Sequence, residues 1–169
     1  MLRLIAAAAL GFLVAIPAHA QISGAAFSGF GGQSKRPVNI EADELEVIDG
    51  EKRAVFKGNV RVTQGESTIR TSRLEVLYSG NGNGGQGNIS RFNLSGGVVA
   101  TSGQNTAQSE RGSFDVVREV VVLEGDVILT QAGNVAKGCR LVANIKTNVA
   151  NLKGCRGERP RFQFTPNSQ

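Results

Sequence analysis

Hydrophobic and polar residues alternate with a period of two through much of the chain after residue 37. This alternation predicts strands that bury one face and expose the other. A continuous apolar run, Val120 to Leu123, predicts a strand that is buried on both faces or placed at a seam between sheets. No useful helical period follows residue 20, so the pattern predicts an all-β protein. One clear example of alternation places Phe56, Gly58, Val60 and Val62 between Lys57, Asn59, Arg61 and Thr63.

Glycine is abundant, with 22 among 169 residues, which argues against a helical bundle. Gly58, Gly96, Gly125 and Gly154 lie in similar contexts, separated by 38, 29 and 29 residues. The longest step contains Ser79–Asn88, rich in Gly and Asn, which we interpret as an inserted loop. The remaining period of 29 residues predicts a repeated β unit that buries its apolar face only against its neighbours.

The repeated glycines have two interpretations. They allow a bend or bulge where two sheets meet, or they are ordinary turn glycines. A separate turn signal, Asp49-Gly50 between two apolar runs, predicts a β-hairpin.

The N-terminus has the pattern of a cleaved secretory signal over residues 1–20. It contains Arg3, an apolar run over residues 4–16, Pro17, and small residues before Gln21. The alternative, an uncleaved anchor, is disfavoured because 13 apolar residues cannot span about 30 Å of hydrocarbon as a helix. The signal predicts a periplasmic protein in a compartment that permits disulfides.

Cleavage changes what chemistry is available. It removes Arg3, so the net charge falls from +5 to +4, and it removes His19, the single histidine. A chain without histidine excludes Ser-His-Asp and Cys-His mechanisms and histidine-based metal sites. We divide the remainder into a flexible leader (21–36), a patterned β domain (37–161) and a C-terminal tail (162–169).

Two cysteines lie on either side of a predicted turn. If residues 146–148 form a three-residue loop, Ile145 pairs with Val149 and Cys139 lies opposite Cys155. A two- or four-residue loop would spoil that register. A disulfide is therefore predicted, whereas a metal site lacks histidine partners and a redox pair would be spaced C-x-x-C.

The pattern around the first unit resembles a known family. The segment Ile40-Glu41-Ala42-Asp43-Glu44-Leu45, followed by residues 55–65, is similar to the OstA-like domain of lipopolysaccharide-transport proteins. The resemblance covers about residues 37–161, and within the family the length and signal match the small periplasmic bridge component. It implies an open-ended, twisted β-jellyroll of about sixteen short antiparallel strands in two facing sheets. The insert and the two cysteines depart from the family pattern.

The family resemblance also implies a function in outer-membrane biogenesis, with no reaction, cofactor or metal. Acyl chains of lipopolysaccharide would lie in an apolar groove, whereas periodicity alone favours a closed core without a cavity. The implied lipid-binding residues are Val38, Ile40, Phe56, Val60, Phe92, Leu94, Phe114, Val116 and Leu129.

The implied partners lie at the two edges of the domain. The N-terminal edge strand (Val38 to Ile40) would pair with the inner-membrane transport complex, and the C-terminal strands (Leu141 to Lys153) with the next copy or the outer-membrane translocon. Head-to-tail homo-oligomers are therefore expected. The alternatives are a structural or adhesin-like β-solenoid without lipid cargo, and an isolated module that regulates the translocon.

The charges are divided between the two ends of the domain. They would give complementarity between stacked copies or contacts to lipid phosphates, or they are a solvated surface. Carboxylate pairs such as Asp43/Glu44 and Asp115/Glu119 carry no catalytic weight without a cleft, and the modest basic excess without aromatic platforms argues against nucleic acid. The acidic cluster is Glu41, Asp43, Glu44 and Glu46, and the basic cluster is Lys153, Arg156, Arg159 and Arg161.

Overall fold

The computed structural model describes residues 25–27, 30, 36–79 and 88–165. The expected signal peptide (1–20), most of the insert (80–87) and the end of the tail (166–169) lie outside the described residues. The division into leader, domain and tail stays a prediction.

The described residues form ten strands and two short 3-10 turns. In chain order they are η1 (Ala25–Phe27), β1 (Asn39–Glu41), β2 (Glu44–Ile48), η2 (Asp49–Glu51), β3 (Arg53–Gln64), β4 (Ser67–Ser79), β5 (Asn88–Ser102), β6 (Asn105–Asp115), β7 (Val120–Gln131), β8 (Asn134–Asn144), β9 (Val149–Lys153) and β10 (Arg161–Gln163).

The described strands form a single antiparallel sheet. Strands β3 to β8 follow one another as a meander, in sequence order. Both edges are split: β1 and β2 pair with the two halves of β3, while β10 and β9 pair with the two halves of β8. The sheet therefore ends at two separate edges.

Three of the four repeated glycines form β-bulges. The register shifts by one residue between Lys57 and Val60 on β3, and at the matching places on β5 and β7. At each bulge two consecutive residues have positive φ, such as Gly58 at 75° and Asn59 at 46°. The bend interpretation is therefore confirmed for Gly58, Gly96 and Gly125.

The bulges explain how the expected strand count relates to the observed one. We expected about sixteen short strands in two facing sheets, and the described residues form ten strands in one sheet. Ladder pairing resumes on both sides of each bulge, so two short segments join into one long strand. Counting the two segments of each of β3 to β8 separately, together with the four short edge strands, gives sixteen. Both segments contribute to one apolar cluster, so they face the same interior.

Two local predictions have different outcomes. The Asp49-Gly50 hairpin is confirmed, because β2 turns through η2 into β3 and Ile48 pairs with Arg53. The apolar run on β7 is not buried on both faces. Val121 and Leu123 are fully buried, whereas Val120 and Val122 are half-buried, because only one face of the sheet meets the interior.

Candidate functional site

The inner face of the bent sheet is a continuous apolar surface. All nine residues expected in a lipid groove contribute to it. Five of them, Val60, Phe92, Leu94, Phe114 and Leu129, are buried in the cluster. The other four, Val38, Ile40, Phe56 and Val116, are partly buried and pack against it. The structure thus brings the nine residues to one surface, and their contact with lipid stays a prediction.

Cross-strand register orders this surface into rows that run from one edge of the sheet to the other. Neighbours in a row lie directly opposite on adjacent strands, so each row is an unbroken apolar track perpendicular to the strands. On one side of the bulges the row is Leu45, Phe56, Leu74, Leu94, Gly112, Leu123, Leu141 and Leu152. On the other side it is Ile40, Val62, Ile69, Ala100, Ala107, Leu129, Ala136 and Phe162.

The inner face contains an aromatic pair near the end of β6. Phe92 on β5 lies opposite Phe114 on β6, with ring centroids 6.3 Å apart and planes 7° from parallel. Offset aromatic pairs add packing energy beyond the area that they bury.

One end of each apolar row is an exposed side chain at a sheet edge. Leu45, at the β2 end of the first row, is 55% exposed, and Phe162, at the β10 end of the second row, is 47% exposed. Val47 on β2 lies on the same face as Leu45 and is 55% exposed, whereas Val149 on β9 lies on the outer face, since Ala150 and Leu152 face inward. Exposed hydrophobic side chains beside unpaired backbone are features of a surface that meets a partner.

The acidic cluster lies at the N-terminal edge and is partly engaged within the chain. Lys57 donates hydrogen bonds to Glu44 at 3.1 Å and to Glu46 at 3.0 Å. The bond and charge of Lys57 lower the pKa of Glu46, and hydrogen bonds to Glu46 and Glu44 raise the pKa of Lys57. Asp43 accepts a hydrogen bond of 2.8 Å from Asn59, while Glu41 is exposed.

The basic cluster lies at the opposite edge. Lys153, Arg156, Arg159 and Arg161 are all exposed, on or beside β9 and β10. Arg161 also pairs in register with Lys137 of β8, which places two cations side by side. The two clusters of opposite charge therefore occupy opposite ends of the open sheet.

A hydrogen-bonded network lies on the outer face. Glu75 accepts hydrogen bonds from Asn93 at 3.0 Å and from Arg53 at 2.8 Å. The bond from Asn93 and then the one from Arg53 hold the pKa of Glu75 below its usual range. This network links β3, β4 and β5 on the surface opposite the apolar rows.

The predicted disulfide forms, although the turn before it differs from the expected one. Cys139 and Cys155 are bonded, with Cα atoms 4.8 Å apart. The expectation of a three-residue loop was wrong, because Asn144 pairs with Val149 and four residues form the turn. The ladder between β8 and β9 ends with the pair Arg140 and Lys153, so Cys155 forms the bond from the segment that follows β9.

The disulfide occupies a repeated position of the β unit. The equivalent positions of successive units are Asp43, Ser72, Glu110 and Cys139, and the steps between them are 29, 38 and 29 residues. These earlier side chains lie against the bulge glycines Gly58, Gly96 and Gly125. In the first unit Asp43 holds Asn59 by a hydrogen bond, and in the last unit the equivalent residues are the two cysteines.

Sequence reasoning missed three residues that complete the inner face. Ala26, Phe27 and Phe30 belong to the expected leader, yet they are 6%, 1% and 2% exposed and join the apolar cluster. The available signal was two phenylalanines three residues apart in a glycine-rich segment of a chain with few aromatics.

Two other kinds of feature are absent from the part of the chain that the structure describes. No group of three or more His, Cys, Asp or Glu side chains in this part of the chain could hold a metal ion. Within the same residues, no helix has the length and apolar character needed to cross a bilayer.

The bent open sheet, with its apolar inner face and two unclosed edges, defines an open-ended β-jellyroll. The chain belongs to the LptA/(LptD N-terminal domain) family of lipopolysaccharide-transport proteins, whose model matches residues 39–149. It is 35% identical over 170 residues to an uncharacterised protein of Rhizobium meliloti (strain 1021), covering 98% of this chain and 91% of that protein.

Two further relatives are named for lipopolysaccharide transport or assembly. The chain is 38% identical over 55 residues to the LPS-assembly protein LptD of Vibrio cholerae, a match covering 32% of this chain and 7% of LptD. The fold is similar to that of LptH, the LptA homologous periplasmic component of the lipopolysaccharide transport device from Pseudomonas aeruginosa. That match has a TM-score of 0.67 and 20% identity, and covers 79% of this chain and 98% of LptH.

Proposed function

We propose that this protein carries lipopolysaccharide across the periplasm as part of a bridge between the inner and outer membranes. The family is a lipopolysaccharide-transport family. The N-terminal pattern of a cleaved signal supports a periplasmic location. The protein holds and passes on a ligand without catalysing a reaction, in keeping with a mature chain that lacks histidine.

The observation that carries the proposal is the continuity of the apolar rows from one edge to the other. Acyl chains lying along the rows would leave water at a gain of about 0.8 kcal/mol for each buried methylene. Because the rows run across all the long strands, a lipid acyl chain could move along them without crossing a polar barrier. The nine predicted lipid-binding residues are the contacts that we expect.

The two edges are the proposed partner sites. The exposed Leu45 and Val47 extend the apolar surface beyond β3, and Phe162 extends it beyond β8. A neighbour that adds a strand at either edge would continue both the backbone ladder and the apolar rows. The opposite charges of the two edges favour head-to-tail stacking of copies.

Following the family resemblance, we assign a direction to these contacts. The N-terminal edge, β1 and β2, would receive lipid from the inner-membrane transport complex. The C-terminal edge, β9 and β10, would deliver it to the next copy or to the outer-membrane translocon.

Photocrosslinking from inside the groove tests lipid carriage. A photoreactive residue in place of Val60 or Phe114 is expected to label lipopolysaccharide in cells, because both side chains lie on the inner face. The matched control is the same residue in place of Gln108, which is exposed on β6 and points away from the neighbouring Ala107. Labelling is expected at least about tenfold above that control.

A lack of labelling would refute lipid carriage. If neither inner position labels while circular dichroism shows a folded protein, lipid carriage is wrong, and a structural β-solenoid becomes the better description.

A further inference from the structure

The inner face already has an occupant from within the chain. The 3-10 turn η1 lies against β5 and β6, and its Phe27 is among the largest fully buried side chains. Phe30 follows, with its N–H donating a hydrogen bond of 2.9 Å to the carbonyl of Phe27. Both rings belong to the same apolar cluster as the strands beneath them.

The strands beneath this turn carry small residues. Ala100 on β5 and Ala107 on β6 lie directly opposite each other and are 0% and 1% exposed. The next residues in the same row are the larger Ile69 and Leu129, so two adjacent alanines leave a depression in the row. Close packing of protein interiors requires such a depression to be filled. Since η1 contacts these two strands, its aromatic side chains are suited to fill it.

A hydrogen bond holds the chain that follows this segment against the end of β3. The side-chain amide of Gln64, at the end of β3, donates a hydrogen bond of 2.9 Å to the carbonyl of Arg36. Five residues lie between Phe30 and Arg36, so the two residues are at most about 20 Å apart. A tether of this kind holds the segment at a high effective concentration beside the groove.

We infer that η1 and Phe30 form an internal plug of the acyl-chain groove, which lipid must displace in order to bind. This inference rests on the proposed function. The plug covers apolar surface that an empty carrier would otherwise expose to association. It also lowers the apparent affinity for lipid, because only the fraction of molecules with a displaced plug is competent to bind.

A binding comparison tests the inference. The double variant Phe27→Ala/Phe30→Ala in the exported full-length protein is expected to bind purified lipopolysaccharide about tenfold more tightly than the wild type. The control Val117→Ala truncates a side chain that is 79% exposed in a turn and should leave the affinity unchanged. A synthetic peptide of residues 21–35 should reduce lipid binding by the double variant, and the same peptide with both phenylalanines replaced by alanine should not.

A second measurement keeps an aromatic side chain at position 27 and does not depend on the alanine variants. p-Benzoylphenylalanine in place of Phe27 should crosslink to peptides of β5 and β6 in lipid-free protein. That crosslink should fall at least about fivefold as lipopolysaccharide reaches saturation, since the lipid takes the same space.

The outcomes separate the two proposals. If lipid binds to saturation while the crosslink from position 27 persists, the segment is a permanent part of the core and the plug is refuted, but lipid carriage stands. If lipopolysaccharide binds to neither the wild type nor the double variant, lipid carriage is refuted and the plug with it.

Discussion

Replacing both cysteines tests how much the disulfide stabilises the last repeat unit, where it takes the place of the hydrogen bond between Asn59 and Asp43 in the first unit. The bridge joins residues 16 apart, so removing it releases a loop of that length in the unfolded chain. The loop-entropy relation gives about 3 kcal/mol for such a loop at 25 °C. Cys139→Ala/Cys155→Ala should therefore lower the free energy of unfolding by about 3 kcal/mol.

A second double variant uses the repeat itself as a guide. Cys139→Asp/Cys155→Asn places at the last unit the pair that Asp43 and Asn59 form in the first. Because that pair is exposed, we expect it to restore only about 0.5–1 kcal/mol relative to the alanine variant. The order of stability should be wild type, then the Asp/Asn variant, then the alanine variant.

Urea unfolding followed by circular dichroism measures all three proteins under oxidising conditions. Equal slopes of free energy against urea would show that the midpoint shifts report stability. As a control, reduced wild type should fall close to the alanine variant. If the alanine variant lies within about 1 kcal/mol of the oxidised wild type, the loop-entropy reasoning is refuted. If the Asp/Asn variant is no more stable than the alanine variant, the repeat equivalence is wrong.

Two further predictions concern the edges and the outer face. Leu45→Asp puts a charge at the start of an apolar row and should weaken self-association about tenfold in sedimentation velocity, whereas Val117→Asp in an exposed turn should not. Equal association of the two variants would count against stacking at β2. Glu75 has a lowered pKa in the folded state through Asn93 and Arg53, so its contribution to stability is present above the unfolded pKa and is lost as pH falls through the folded pKa. Glu75→Gln should therefore lose less stability than the wild type between pH 7 and about pH 3 in urea unfolding, and a loss equal to that of the wild type would contradict this assignment.

Much of the local architecture could be predicted from the sequence because it depends on short-range constraints. Alternation identified the strands, since side chains of a strand point to opposite faces in turn. The 29-residue spacing of glycines located three bulges, because two consecutive residues with positive φ favour glycine at the first position. The nine residues expected in the groove all lie on the inner face, because alternate residues of a strand point to the same side.

The disulfide shows where local reasoning reaches its limit. The pairing of Cys139 with Cys155 was predicted correctly, but from a three-residue turn that the structure does not contain. The four-residue turn shifts the ladder by one residue, so a continued ladder would place Cys139 opposite Gly154, but β9 ends at Lys153 and Cys155 lies outside the ladder. The length of a turn and the residue at which a strand leaves the ladder cannot be read from the alternation pattern, because neither changes which residues alternate.

The sequence alone determined where most of the strands lie, the repeat and the alternation of their side chains between two faces, since these depend on neighbours along the chain and on backbone sterics. The tertiary structure alone decided that paired short segments join into long bent strands, because ladder pairing resumes beyond each bulge. It also decided that Phe27 and Phe30 lie in the groove. Phe27 lies in η1, which contacts β5 and β6, and these two strands lie more than sixty residues further along the chain and meet only when they pair in the sheet.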